Sequence, residues 1–211
     1  MSTYQTDDEQ VEAIKKWWKE NGRSVVGGIV LGFLVIGGWQ GWQSYQRNQG
    51  EAASIVFDSM RQSVASGDFD RALEAGTRLI GDYSGTAYAS FAGLEMAKLA
   101  YQRGEKSVAR NHLQRVVDAA PDKALRELAR LRLGQLLLDM KELDALDSLL
   151  GTATLSAFAG EFAVLRGDLL VARGDVDGAR RAYEEALGKG VDDETLVRMK
   201  LVDVGGGSAA S

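Results

Sequence analysis

The sequence predicts an all-α protein in which one N-terminal transmembrane helix is followed by an α-solenoid of about four degenerate helix pairs. Three observations predict it. Between Arg23 and Arg47 lie 23 consecutive residues without a charged side chain. Beyond them one pattern of small, turn and acidic residues recurs at near-regular intervals. The whole chain carries a single proline, is rich in Ala, Leu, Glu and Arg, and has no alternating strand-like segment longer than a few residues.

The uncharged stretch comes first. As a helix it spans roughly 34 Å, against about 30 Å for a bilayer's hydrocarbon core. Its heart, Val25 to Trp42, has Gln40 as its only strongly polar residue. Trp17 and Trp18 precede it, and Trp39, Trp42 and Tyr45 lie near its far end, as two aromatic belts at headgroup depth would. A buried helix of a soluble protein would usually be interrupted by a charge. A cleavable signal peptide would need a small-x-small pair, yet Gly38, Gly41 and Ser44 have Ile36, Trp39 and Trp42 two positions earlier. An uncleaved anchor is therefore expected. Lys15, Lys16, Lys19 and Arg23 precede it and only Arg47 and Arg61 follow closely, so the positive-inside rule puts the N-terminus in the cytoplasm. The expected layout is a cytoplasmic tail over 1–23, a membrane helix over 24–46, an exported helical domain over 47–204 and a disordered tail over 205–211. The absence of cysteine suits an oxidising compartment without requiring one.

Residues 6–22 read as a separate amphipathic helix. Thr6 with Glu9 fits a capping box, Asp7 and Asp8 suit the N-terminal dipole, and Asn21-Gly22 closes the helix in the left-handed conformation. Val11, Ile14, Trp17 and Trp18 share one face; Glu12, Lys15, Lys16 and Lys19 fall largely on the other. The helix is expected to lie on the cytoplasmic membrane surface before the chain turns into the bilayer, a docking helix for a cytoplasmic partner being the alternative. Within the span, Gly28 with Gly32 and Gly37 with Gly41 form small-xxx-small pairs, candidates for packing against another membrane helix.

After the span the repeat sets the fold. Segments starting at Ala97, Gly134 and Gly167 superpose: a turn follows seven positions later at Gly104, Lys141 and Gly174, then an acidic residue at Glu105, Glu142 and Asp175. Five residues past the turn come Ala109, Leu146 and Ala179, and four further on Leu113, Leu150 and Tyr183. A fainter copy has Gly67, Asp68 and Ala72. Small residues let two antiparallel helices approach, glycine permits the turn, and each pair covers its neighbour's apolar face. On these residues the soluble part resembles the tetratricopeptide family, which makes the solenoid tetratricopeptide-like. It departs from that family where Gly93, Arg130 and Ala163 replace the signature Trp and where Lys141 replaces a turn glycine.

The chemical inventory is thin. One histidine and no cysteine exclude thiol nucleophiles and multi-His or Cys metal sites, and His112 has no nucleophile or carboxylate placed with it by a motif. The glycine pairs lie inside the span or in the tail, so no phosphate cradle is formed. A net charge of −5 without a basic cluster excludes nucleic acid as a partner. The expected protein is not an enzyme and takes neither cofactor nor small-molecule substrate. The resemblance implies a concave groove lined by the first helix of each pair. It places there Phe91, Leu94, Lys98, Tyr101 and Gln102, then Leu128, Leu131, Gln135, Leu138 and Asp139, then Glu161, Val164, Asp168 and Val171. An apolar groove of that kind would take an extended or helical protein segment. The competing reading is that degenerate packing, or a C-terminal helix around Thr195 to Val204, buries several of these residues.

With both halves in view, Asp8 to Gly22 (DEQVEAIKKWWKENG), the span ending GGWQGW, Gln43 to Gln46, Leu165 to Leu187 and Met199-Lys200 carry a resemblance to the YfgM-like family of ancillary subunits of the bacterial SecYEG translocon. It implies a single-pass inner-membrane protein of a Gram-negative bacterium with its repeat domain in the periplasm. Its implied partners are the translocon, a membrane-anchored parvulin-like (PpiD-like) chaperone and emerging exported chains. The implied function is a non-enzymatic adaptor that helps transfer exported proteins to periplasmic chaperones. An assembly scaffold for another cell-envelope complex is the alternative.

Overall fold

The computed structural model describes residues 4–152 and 158–205, with side chains at 11, 12, 15–152 and 158–205. Among the described residues the structure is all-α, without strands. The helices are α1 (Tyr4–Ser66), α2 (Phe69–Asp82), α3 (Ala87–Gln102), α4 (Lys106–Ala119), α5 (Lys123–Asp139), α6 (Leu143–Leu150), α7 (Ala159–Ala172), α8 (Val176–Lys189) and α9 (Glu194–Asp203). The chain divides into two compact units, 1–49 and 50–211.

The first unit corrects one expectation. No break separates an N-terminal amphipathic helix from the apolar stretch, because α1 passes through Asn21-Gly22 without leaving the helical conformation. Asn21 turns its amide back inside the helix, Nδ2 donating to the Trp17 carbonyl at 3.1 Å. The Trp18 indole lies across Gly22, 3.4 Å from where a Cβ would stand, so the glycine is covered where a helix end would leave it open. The helix starts at Tyr4, before the expected cap at Thr6. The side chains of Thr6, Asp7, Asp8, Glu9 and Ile14, and the tail 206–211, lie outside the described residues.

The second unit stacks helix pairs. The end of α1 packs with α2 in a shared buried cluster, α3 pairs with α4, α5 with α6 and α7 with α8, and α9 closes the series. Each pair turns on one left-handed residue: Gly67 (φ 75°), Gly104 (φ 78°), Lys141 (φ 58°) and Gly174 (φ 82°), the positions the repeat marks. The bonds around them are the same four times over. The left-handed N–H donates three residues back and the next N–H five residues back, as in Gly104 to Tyr101 and Glu105 to Ala100, both 2.9 Å. This is the Schellman closure, and it satisfies carbonyls that the helix end leaves open. The acidic residue that follows starts the second helix. Asp68 and Asp175 cap it through a side-chain oxygen, accepting from the Arg71 and Gly178 N–H groups, whereas Glu105 and Glu142 make no such bond.

Close helix crossings explain the small residues. A Cβ on Gly134 would lie 2.5 Å from Leu165 Cδ2, and one on Gly167 would lie 2.3 Å from the Tyr183 ring. Three buried clusters result. The middle and largest joins α3 to α7 through residues such as Leu113, Leu133, Leu146 and Leu169. Met60, Leu79 and Met96 anchor the cluster before it, and Ala163, Tyr183 and Val197 the cluster after it.

Candidate functional site

The neighbouring first helices α3 and α5 leave a cavity of about 390 Å³ between them, with α4 behind it. Leu94 and Ala97 of α3, Ala109 and Leu113 of α4 and Leu136 of α5 form an apolar floor. Lys98, Tyr101, Arg132, Gln135 and Asp139 ring it with polar groups. Five residues expected to line a groove, Leu94, Lys98, Tyr101, Gln135 and Asp139, are thus brought together at one place.

The rim is organised by charge. Lys106 Nζ meets Asp139 Oδ2 at 2.8 Å. That bond, opposed by slight desolvation, holds the Asp139 carboxyl below its usual range and raises the Lys106 ammonium. Lys98 pairs with Glu95 at 2.9 Å along its own helix. Arg132 has no ion pair or hydrogen bond among the described residues. Tyr101, 48% exposed, adds a large aromatic side chain to the lining. A site of this make-up binds by contact: apolar side chains can enter the floor while the rim offers cations, an anion and an amide.

The other expected groove residues go elsewhere. Phe91 stacks with Phe57 and Tyr88, ring centroids 5.8 and 6.3 Å away, and Gln102 is exposed outside the cavity. Leu131 is buried in the middle core, and Leu128 and Leu138 pack half-buried against it, so the three serve the fold. Toward the C-terminal end, α9 takes up part of the remainder. Asp168 accepts from Lys200 Nζ at 2.5 and 2.7 Å and from the Tyr183 hydroxyl at 2.7 Å. Val164 packs into the terminal core, Glu161 accepts from the Asp192 N–H at 3.2 Å, and Val171 stays exposed. At the last pair the competing expectation of a C-terminal helix holds only in part, since Glu161, Val164 and Asp168 are half-buried and Val171 is exposed. Arg132, outside the expected lining, has a signal in its spacing, four after Leu128 and three before Gln135. His112 is half-buried on α4, and burial followed by the nearby Arg115 lowers its affinity for a proton.

In the first unit, the apolar part of α1 is long enough to cross a membrane, and none of its most apolar window is buried within the structure. Gly28, Gly32, Gly37 and Gly41 each have open space where a Cβ would stand. Because the helix is continuous, the second pair follows the first by nine residues, about 180° around the axis. The two notches lie on opposite faces.

Comparison with known proteins agrees with this architecture. Residues 15–206 match the model of a tetratricopeptide repeat-like domain. A protein of Haemophilus influenzae named ancillary SecYEG translocon subunit is 32% identical over 197 residues, 92% of this chain and 96% of that one. An Escherichia coli K12 protein of the same name is 30% identical over 203 residues, 95% and 98% of the two chains. The chain belongs to the family of ancillary SecYEG translocon subunits. A more distant relative from Neisseria gonorrhoeae, 25% identical over 205 residues, bears that name too. This membership and the apolar helix together fit a membrane protein.

Proposed function

We propose that the chain is a non-catalytic, membrane-anchored adaptor of the SecYEG translocon. Residues 1–23 stay in the cytoplasm, 24–46 cross the inner membrane, and 47–204 work in the periplasm. There the groove between α3 and α5 binds a segment of a membrane-anchored parvulin-like chaperone or of an emerging exported chain, and so helps pass that chain to periplasmic folding factors. The observation that carries the reading is an open, apolar-floored groove in a chain whose relatives are named for the translocon. Anchoring makes modest affinity sufficient, because a shared membrane raises the effective concentration of both partners. The glycine notches, on this reading, are where α1 packs against membrane helices of the complex.

Co-purification in mild detergent tests this. The full chain should bring down SecYEG subunits together with a chaperone, and Tyr101→Glu should lose the chaperone while keeping the translocon. A full chain that brings down neither contradicts the proposal.

A further inference from the structure

The first unit carries a second binding feature that the adaptor reading leaves unused. Trp18, Gly22 and Val26 form one row along α1 at four-residue spacing, and Lys19 with Arg23 forms the adjoining row. Between them lies a surface notch of about 380 Å³ lined by Trp18, Lys19, Gly22, Arg23 and Val26. The Trp18 indole folds over the glycine with Nε1 3.4 Å from the position a Cβ would take, and its N–H has no acceptor among the described residues. Neither Lys19 nor Arg23 has an ion pair or hydrogen bond among the described residues, although Glu12 and Glu20 belong to the same segment. The notch thus presents two uncompensated cations and one N–H donor at the edge of the 23 uncharged residues that begin after Arg23.

We infer that this notch is a binding site for the headgroup of an anionic phospholipid. The phosphodiester would accept charge-assisted hydrogen bonds from Lys19 Nζ and the Arg23 guanidinium. The indole N–H would donate to a glycerol-ester oxygen. The acyl chains would leave the headgroup past Gly22 and Val26, down the apolar helix. Charge complementarity names the ligand: a zwitterionic headgroup adds a cation beside Lys19 and Arg23, and an anionic one does not. The glycine shapes the site, since a larger residue at position 22 would displace the Trp18 indole that lies across it.

The test uses the full chain, extracted from nanodiscs of phosphatidylglycerol mixed with phosphatidylcholine, with retained lipid counted by native mass spectrometry. Wild type should retain phosphatidylglycerol selectively. Lys19→Gln with Arg23→Gln should cut retention about tenfold or more. Lys15→Gln with Lys16→Gln removes the same charge outside the notch and should cut it far less. Gly22→Leu keeps every charge and should lose retention as the Lys19/Arg23 variant does. Equal loss in the two charge variants, or unchanged retention in Gly22→Leu, would overturn the inference. Displacement of the lipid by millimolar glycerol 3-phosphate would overturn it also, because the site would then be reading a soluble phosphate ester.

Discussion

Four left-handed residues close the four turns, and three of them are glycine. The exception, Lys141, bears a cost of about 1–2 kcal/mol that an L side chain incurs in that region. Lys141→Gly should therefore stabilise the domain by roughly 0.5–1 kcal/mol, after the greater freedom of glycine in the unfolded chain is subtracted. Urea denaturation measures it, and an unchanged or lower midpoint would show that the Lys141 turn is not strained. The turns were legible because a left-handed closure followed by a helix start asks for glycine and then an acid, a demand local enough to survive in a degenerate repeat. Leu131 was misplaced for an equally local reason. Successive helical residues lie about 100° apart, so Leu131 points into the core while Arg132 reaches the groove. A face assignment transferred from a regular repeat needs to slip by only one residue to confuse the two.

Among the elements, the helix crossings differ in what a substitution would meet. A Cβ on Gly160 would lie 1.9 Å from the Gly190 carbonyl oxygen, where the obstacle is backbone. Gly160→Ala should cost about 2–3 kcal/mol. At Gly134 the obstacle is the tip of Leu165, which can swing away, so Gly134→Ala should cost less. Thermal unfolding orders the two, and the reverse order would contradict the α7 packing described above. The docking of α9 depends on Asp168, Tyr183 and Lys200. Burial, reinforced by the hydrogen bond to Asp168, raises the Tyr183 phenol well above its ordinary value. The phenol stays protonated in the fold while the unfolded chain ionises near 10.0. Its contribution is thus fully present below pH 10 and is lost as pH rises above it. Tyr183→Phe should cost about 1.5–3 kcal/mol at neutral pH, as for a hydrogen bond to a charged group. It should also flatten the alkaline limb of the stability profile; an identical limb in both proteins would contradict the assignment. No local pattern announces this network, since Lys200 reaches Asp168 from 32 residues away. The continuity of α1 was hidden for a related reason: Asn-Gly is a local stop signal, and the indole of Trp18 closing over Gly22 is a contact beyond that dipeptide.

At the scale of the molecule, an apolar helix in one unit and a stack of helix pairs in the other are both plain from composition and periodicity, because each is a property of many residues. The groove is narrower than a uniform solenoid would offer. Packing against the core and the α9 contacts engage most of the outlying candidates, and the opening is concentrated between α3 and α5. The proposed function therefore rests on a short surface, and a residue-resolved probe in living cells is the most direct test of it. Photo-crosslinking residues at Tyr101 and Gln135 should capture a periplasmic chaperone or exported chains, while one at the exposed Gln114, outside the cavity, should not. Capture from Gln114 alone, or equal capture from all three positions, would contradict the assignment of the α3–α5 groove as the working face.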